Sequence, residues 1–166
     1  MTNATVTLHG LTHTCPEDLN VLLVAPNGSN VVLTAQTGSC DEPTGDVTFD
    51  DAAALYFGES GTDAAGTWKP DHASISSEGD CNWTGSLVSP APGGPYGSTM
   101  ASVTGGPASG TWKLYIEDGC GGDDALTSRH SQPRYGAAPR FSSPRAMISR
   151  WISLVPSQIR STRSSR

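Results

Sequence analysis

The sequence is poor in charge and in aromatic rings: of its 166 residues, 16% are charged and 7% aromatic. A core built from it is thin and leans on Val, Leu, Ile and a few Trp. No apolar run reaches membrane-spanning length, so no transmembrane helix is expected. Met1-Thr2-Asn3-Ala4 leads straight into strand-like sequence without a basic and then apolar run, so no signal peptide is expected in this chain. Cysteine is scarce, with four residues and no Cys-x-x-Cys pair, and the four histidines stand at spacings that suit no zinc site. Basic residues are nearly missing from residues 1–124, where Lys69 and Lys113 face all 16 acidic residues. A body so short of cations repels nucleic acid and anionic lipid, which argues against both as partners.

Glycine and proline are plentiful, at 19 and 12 residues, which favours short strands joined by turns over helices. The charge reverses sharply after Asp124. Residues 125–166 hold eight Arg, no Lys and no acid, and are rich in Ser and Pro. Two segments are therefore expected: a β-rich module over 1–124, and an Arg/Ser/Pro-rich tail over 125–166 that is disordered or comes from a shifted reading frame. Within the tail, the one apolar stretch, 147–155, is interrupted by Ser149, Arg150 and Ser153. Cys15, Cys40, Cys81 and Cys120 make an even set in a strand-rich chain, which suggests two disulfides and an oxidising compartment. Three pairings are possible. Cys15–Cys40 with Cys81–Cys120 is preferred because each bridge closes a local loop; free thiols are the alternative.

Periodicity locates the strands. Thr5 to Leu8 alternates as a half-buried strand does. Leu19 to Val24 is a second strand, and its Val21-Leu22-Leu23-Val24 run suits burial on both faces. The turn signal Pro26-Asn27-Gly28-Ser29-Asn30 and the returning Val31-Val32-Leu33 make 19–34 a β-hairpin. Asp46 to Asp50 is a further strand candidate, and Met100 to Val103 a short one. Residues 58–66 and 70–80 read as loops, and Pro90 to Pro95 can hold neither a helix nor an inner strand. From Gly110 to Ile116 the alternation points Trp112, Leu114 and Ile116 to the core, with Thr111, Lys113 and Tyr115 outward.

Several of these segments, in order, resemble the P domain (Homo B domain) of subtilisin-like proprotein convertases, in its bacterial secreted form. Leu11-Thr12-His13-Thr14-Cys15-Pro16-Glu17-Asp18-Leu19 is similar to the family's His-Thr-x-Pro-x-Asp-Leu approach to a core strand. Val21 to Gly28 is similar to its Leu-x-x-Pro-x-Gly hairpin, and Ser109 to Asp118 to its Gly-x-Trp-x-Leu strand. Phe49 to Ala53 and Pro90 to Ser98 match further family segments. The resemblance implies a jelly-roll β-sandwich. It implies a non-catalytic module that follows a serine protease domain, or another exported hydrolase, and stabilises or tethers it. It also implies secretion or cell-surface location for the parent. Family members usually carry a further strand at each end, so the resemblance implies a truncated module.

Catalysis is not expected. Gly97-Ser98-Thr99-Met100-Ala101 resembles a subtilisin nucleophile motif with two residues exchanged, and His9-Gly10-Leu11-Thr12-His13 is a faint likeness of its histidine motif. The exchange moves the serine out of position, and no aspartate element precedes the histidine. Carboxylates offer the better site. Glu17-Asp18, Asp50-Asp51, Glu117-Asp118 and Asp123-Asp124 are acidic pairs at strand ends or turns. Loops cluster at the ends of a sandwich, so such pairs can converge on a structural calcium ion, which takes 6–8 oxygens. Asp18 and Asp118 are the foremost candidate ligands, followed by Glu17, Glu117, Asp50 and Asp51. Trp68, Trp83 and Tyr96 fall in loop-like sequence, where exposed rings stack on sugars. They support the alternative of a carbohydrate- or cell-surface-binding sandwich. A non-functional gene fragment is the third reading.

Overall fold

A computed structural model describes residues 3–13, 15–38, 40, 45–58, 65–70 and 85–119, together with the backbone of 147–152. Its strands are β1 (Val6–Leu11), β2 (Leu19–Val24), β3 (Asn30–Ala35), β4 (Gly45–Phe49), β5 (Gly66–Trp68), β6 (Trp112–Asp118) and β7 (Met147–Ile152). Two short 3₁₀ turns, Pro16–Asp18 and Met100–Val103, complete the described elements. The chain is all-β, as expected. Its strands form a three-stranded sheet in the order β1-β4-β5 and a four-stranded sheet in the order β3-β2-β6-β7.

One apolar core joins the two sheets into a sandwich. Val6, Val47 and Phe49 come from the smaller sheet, and Leu19, Val21, Leu23, Val31, Leu33, Trp112 and Leu114 from the larger. Alternation explains the set, because residues two apart share a face. Trp112 is the largest fully buried side chain, and its indole N–H donates to the Ala108 carbonyl at 3.2 Å. The expected hairpin is present as β2 and β3, with Gly28 at φ 87° in its turn, a backbone region that side chains disfavour.

Every residue of β2 is buried. The outer face of β2 is covered as well as the inner one. Leu22, Val24, Val32, Ala35 and Tyr115 form a second cluster there, closed by Leu87, with Ala91 and Tyr96 packed against it. The cover is the Pro-rich stretch 85–97. Tyr96 fastens it, donating its hydroxyl to the Pro92 carbonyl at 2.6 Å and accepting the Leu87 amide at 3.1 Å. At its end Gly97 accepts the Val32 amide at 3.0 Å, beside the edge of β3. A Cβ on Gly97 would stand 2.5 Å from the Asn30 carbonyl, so this approach requires glycine.

Three sequence expectations need correction. Tyr115 does not face solvent; only 8% of it is exposed, because the 85–97 loop lies over it. Met100–Val103 is a 3₁₀ turn and not a strand. Its residues Met100 and Val103 stand three apart, the period that puts both in the core. Trp68 belongs to β5, which pairs in parallel with β4, and not to a loop. Residues 147–152 form β7, which pairs antiparallel along β6. The remaining tail, Trp83, Cys81, Cys120 and Asp123-Asp124 lie outside the described residues.

Candidate metal centre

The candidate carboxylates separate into four environments. Asp50 accepts the Ala52 amide at 2.9 Å, closing the turn after β4. Asp51 accepts the amides of Met100 and Ala101 at 2.7 and 2.8 Å. It thereby caps a turn 49 residues away, the work of a carboxylate at the exposed N–H groups of a helical turn. Neither joins the acidic residues near β2.

Glu17 lies beside the Cys15–Cys40 disulfide, the pairing preferred from the sequence. Its Oε1 stands 3.1 Å from Cys40 Sγ and 3.5 Å from Cys15 Sγ. These three residues are a compact potential ligand group among the described residues. The disulfide removes them from metal chemistry, since only thiolates serve as strong sulfur ligands.

Asp118 and Glu117 end β6, opposite the start of β2. Asp118 pairs in register with Leu19, and Glu117 with Asn20. Neighbouring residues on a strand point to opposite faces, so the two carboxylates diverge. Asp118 goes with the core face, where its Oδ2 stands 3.5 Å from Nε2 of His13. His13 is buried. Its Nδ1 lies 2.8 Å from the Cys15 carbonyl oxygen and 3.2 Å from the Cys15 amide nitrogen. The Nε2 contact is too long for a well-formed hydrogen bond, and that atom has no hydrogen-bond partner among the described residues. His13 thus ties the disulfide loop to the end of β6.

Glu117 goes with the outer face, across from Asn20, and both are buried. Asp18, also buried, directly precedes β2, and its carbonyl accepts the Gly119 amide at 2.8 Å, extending the ladder by one step. A Cβ on Gly119 would lie 3.3 Å from both Asn20 Nδ2 and the Asp18 carbonyl oxygen. The Asp18 backbone, the amide side chains of Asn20 and Gln36, and Gly119 therefore meet at one corner of the sheet, where Glu117 is paired in register with Asn20. The Oδ1 of Asn20 is buried without a hydrogen-bond partner among the described residues. Nothing in the sequence marked Asn20, a polar residue between Leu19 and Val21; only the register reveals its neighbour.

Elsewhere, His9 Nδ1 meets Asp46 Oδ2 at 2.8 Å on the exposed part of β1 and β4. The hydrogen bond from His9, then that from the Gly10 amide, holds the Asp46 carboxyl below its ordinary 3.8. The aromatic candidates are structural where they are described. Trp68 stacks edge-on against Phe57 at 6.2 Å, which in turn meets Phe49 at 5.6 Å. Tyr96 holds the covering loop.

These features define a two-sheet β module whose histidines and carboxylates are engaged chiefly in holding loops. Residues 1–71 match the family model of the proprotein convertase P-domain. The match contains His13–Leu19 and Val21–Gly28, two of the segments that carried the resemblance. The P domain is a non-catalytic accessory domain that accompanies protease catalytic domains, and its family comes from secreted proteases. No curated protein and no solved structure matches the chain. Among the described residues, no helix is long and apolar enough to cross a membrane.

Proposed function

We propose that this chain serves as the accessory module of a secreted subtilisin-like serine endopeptidase, stabilising or tethering a catalytic domain that precedes it in the parent protein. The carrying observation is the P-domain match over residues 1–71, which spans both strands of the hairpin and the disulfide loop. A jelly-roll connection of the strands and export with the parent belong to this reading. Its chemistry is mechanical: a rigid sandwich offers a surface, and a domain bound to it unfolds less readily because binding favours the folded state. Trp68 and Tyr96 give the sugar-binding alternative no support, since their rings serve the core and the covering loop.

The test joins the chain to a subtilisin-type catalytic domain deprived of its own accessory module. Retained protease activity after heating should last several-fold longer with the chain than without it. The chain alone should resist labelling by a fluorophosphonate probe. Labelling at Ser98, or no change in protease half-life, would overturn the reading.

A further inference from the structure

We propose that Asn27, at the tip of the β2–β3 hairpin, is a site of spontaneous covalent modification, losing its side-chain amide by ring closure with the backbone nitrogen of Gly28. Asn27 and Gly28 are both exposed. The turn that carries them is tight: the Gly28 amide donates to the Ala25 carbonyl at 2.9 Å, and the Ala25 amide to the Ser29 carbonyl at 2.8 Å. The Asn27 side chain is held from two sides. Ser29 donates its backbone N–H to Asn27 Oδ1 at 3.1 Å and its hydroxyl to the same oxygen at 2.7 Å. A backbone N–H can only donate, so the atom that faces it is the oxygen and not the amide nitrogen. On the other side Gly106 lies against the carboxamide; a Cβ there would stand 2.5 Å from Asn27 Nδ2 and 2.7 Å from its Cγ.

The same two donors meet the charge that ring closure creates. The Gly28 nitrogen gives its proton to hydroxide and attacks Asn27 Cγ; a bond forms between them while the carbonyl electron pair moves onto Oδ1. The Ser29 N–H and O–H already donate to that oxygen, and donors aimed at a developing oxyanion lower the barrier. The pair then returns, the Cγ–Nδ2 bond breaks, and ammonia leaves with a proton from water. Water opens the resulting five-membered imide at either carbonyl, which leaves aspartate or isoaspartate at position 27. No oxidant or reductant is needed. Nucleophile and electrophile belong to adjacent residues, so closure is intramolecular. Gly28 has no side chain to obstruct it, and a Cβ there would meet nothing within 4 Å, so the nitrogen is open to solvent. The Gly28 bond to Ala25 must open first, and a hairpin tip opens at low cost. The other described asparagines are worse placed. Asn20 is buried, and both Asn20 and Asn30 precede a β-branched valine. Asn3 precedes Ala4 and holds the Ala4 amide on its own Oδ1 at 2.9 Å.

The full chain is held warm over a series of pH values from neutral to mildly alkaline. Conversion at each asparagine is followed by peptide mass mapping, and isoaspartate by an isoaspartate-specific methyltransferase. Asn27 should convert at least tenfold faster than any other described asparagine, at a rate that rises in proportion to hydroxide. Ser29→Ala should slow the conversion several-fold in the folded chain. In the urea-unfolded chain, wild type and Ser29→Ala should convert at similar rates, which separates the fixed hydroxyl from the local sequence. Asn27→Gln should stay unmodified, because its ring would be one atom larger. The isoaspartate form carries an extra backbone atom through the turn, so its Ala25 and Gly28 amides should exchange faster with solvent. An Asn27 that stays intact while another described asparagine converts, a rate indifferent to hydroxide, or a folded Ser29→Ala chain that converts as fast as wild type would each overturn the proposal.

Discussion

The two faces of the four-stranded sheet are built by different means. The inner face meets another sheet, so regular alternation on both sides fills the space between them. The outer face is covered at one end by a Pro-rich loop and at the other carries the polar corner of Asn20 and Glu117. The inner face is a product of periodicity. The outer face depends on where one irregular segment settles.

Substitutions at paired positions should separate the two. Trp112→Ala, on the inner face, should cost about 3–5 kcal/mol, the largest effect here, because a large cavity opens where two sheets meet. Urea unfolding of the variant measures it. Tyr115→Ala, three residues along on the outer face, should cost only about 2 kcal/mol, because a loop follows a shrinking side chain better than a sheet does. Equal losses at the two positions would show that the loop packs as firmly as a sheet.

Replacing both Cys15 and Cys40 by Ser should lower stability by about 3 kcal/mol, given the 25 residues that the bridge spans. Asp51→Ala should cost about 1–2 kcal/mol and loosen the Met100–Val103 turn, seen as faster amide exchange there. The smallest effect belongs to Asp46→Asn, on an exposed pair. A carboxyl held below its ordinary value contributes stability above about pH 4 and loses it as pH falls through the lowered value. The melting temperatures of wild type and Asp46→Asn should therefore differ slightly near neutral pH and converge in acid.

What the sequence disclosed follows the same division. The hairpin and the Trp112 strand were legible because local alternation and a strong turn signal decide them. The Cys15–Cys40 bridge was legible as a short loop closure. The burial of Tyr115 was not, since nothing within β6 tells that residues 85–97 return over it. Met100–Val103 misread as a strand because the carboxylate that fixes its turn comes from Asp51, far back in the chain. Of the candidate acids, Asp18 and Asp118 were named foremost, with Glu117 ranked behind them. Ladder register, not residue type, set Glu117 opposite Asn20 and Asp118 opposite Leu19.

The account's central claim, that this sandwich serves a protease without being one, is tested most directly by a single half-life. A subtilisin-type catalytic domain fused to the chain is held at elevated temperature and its surviving peptidase activity followed. The account predicts a half-life several-fold longer than that of the catalytic domain alone, with the gain lost in the Trp112→Ala variant, whose sandwich is destabilised. Equal half-lives with and without the intact chain would contradict it.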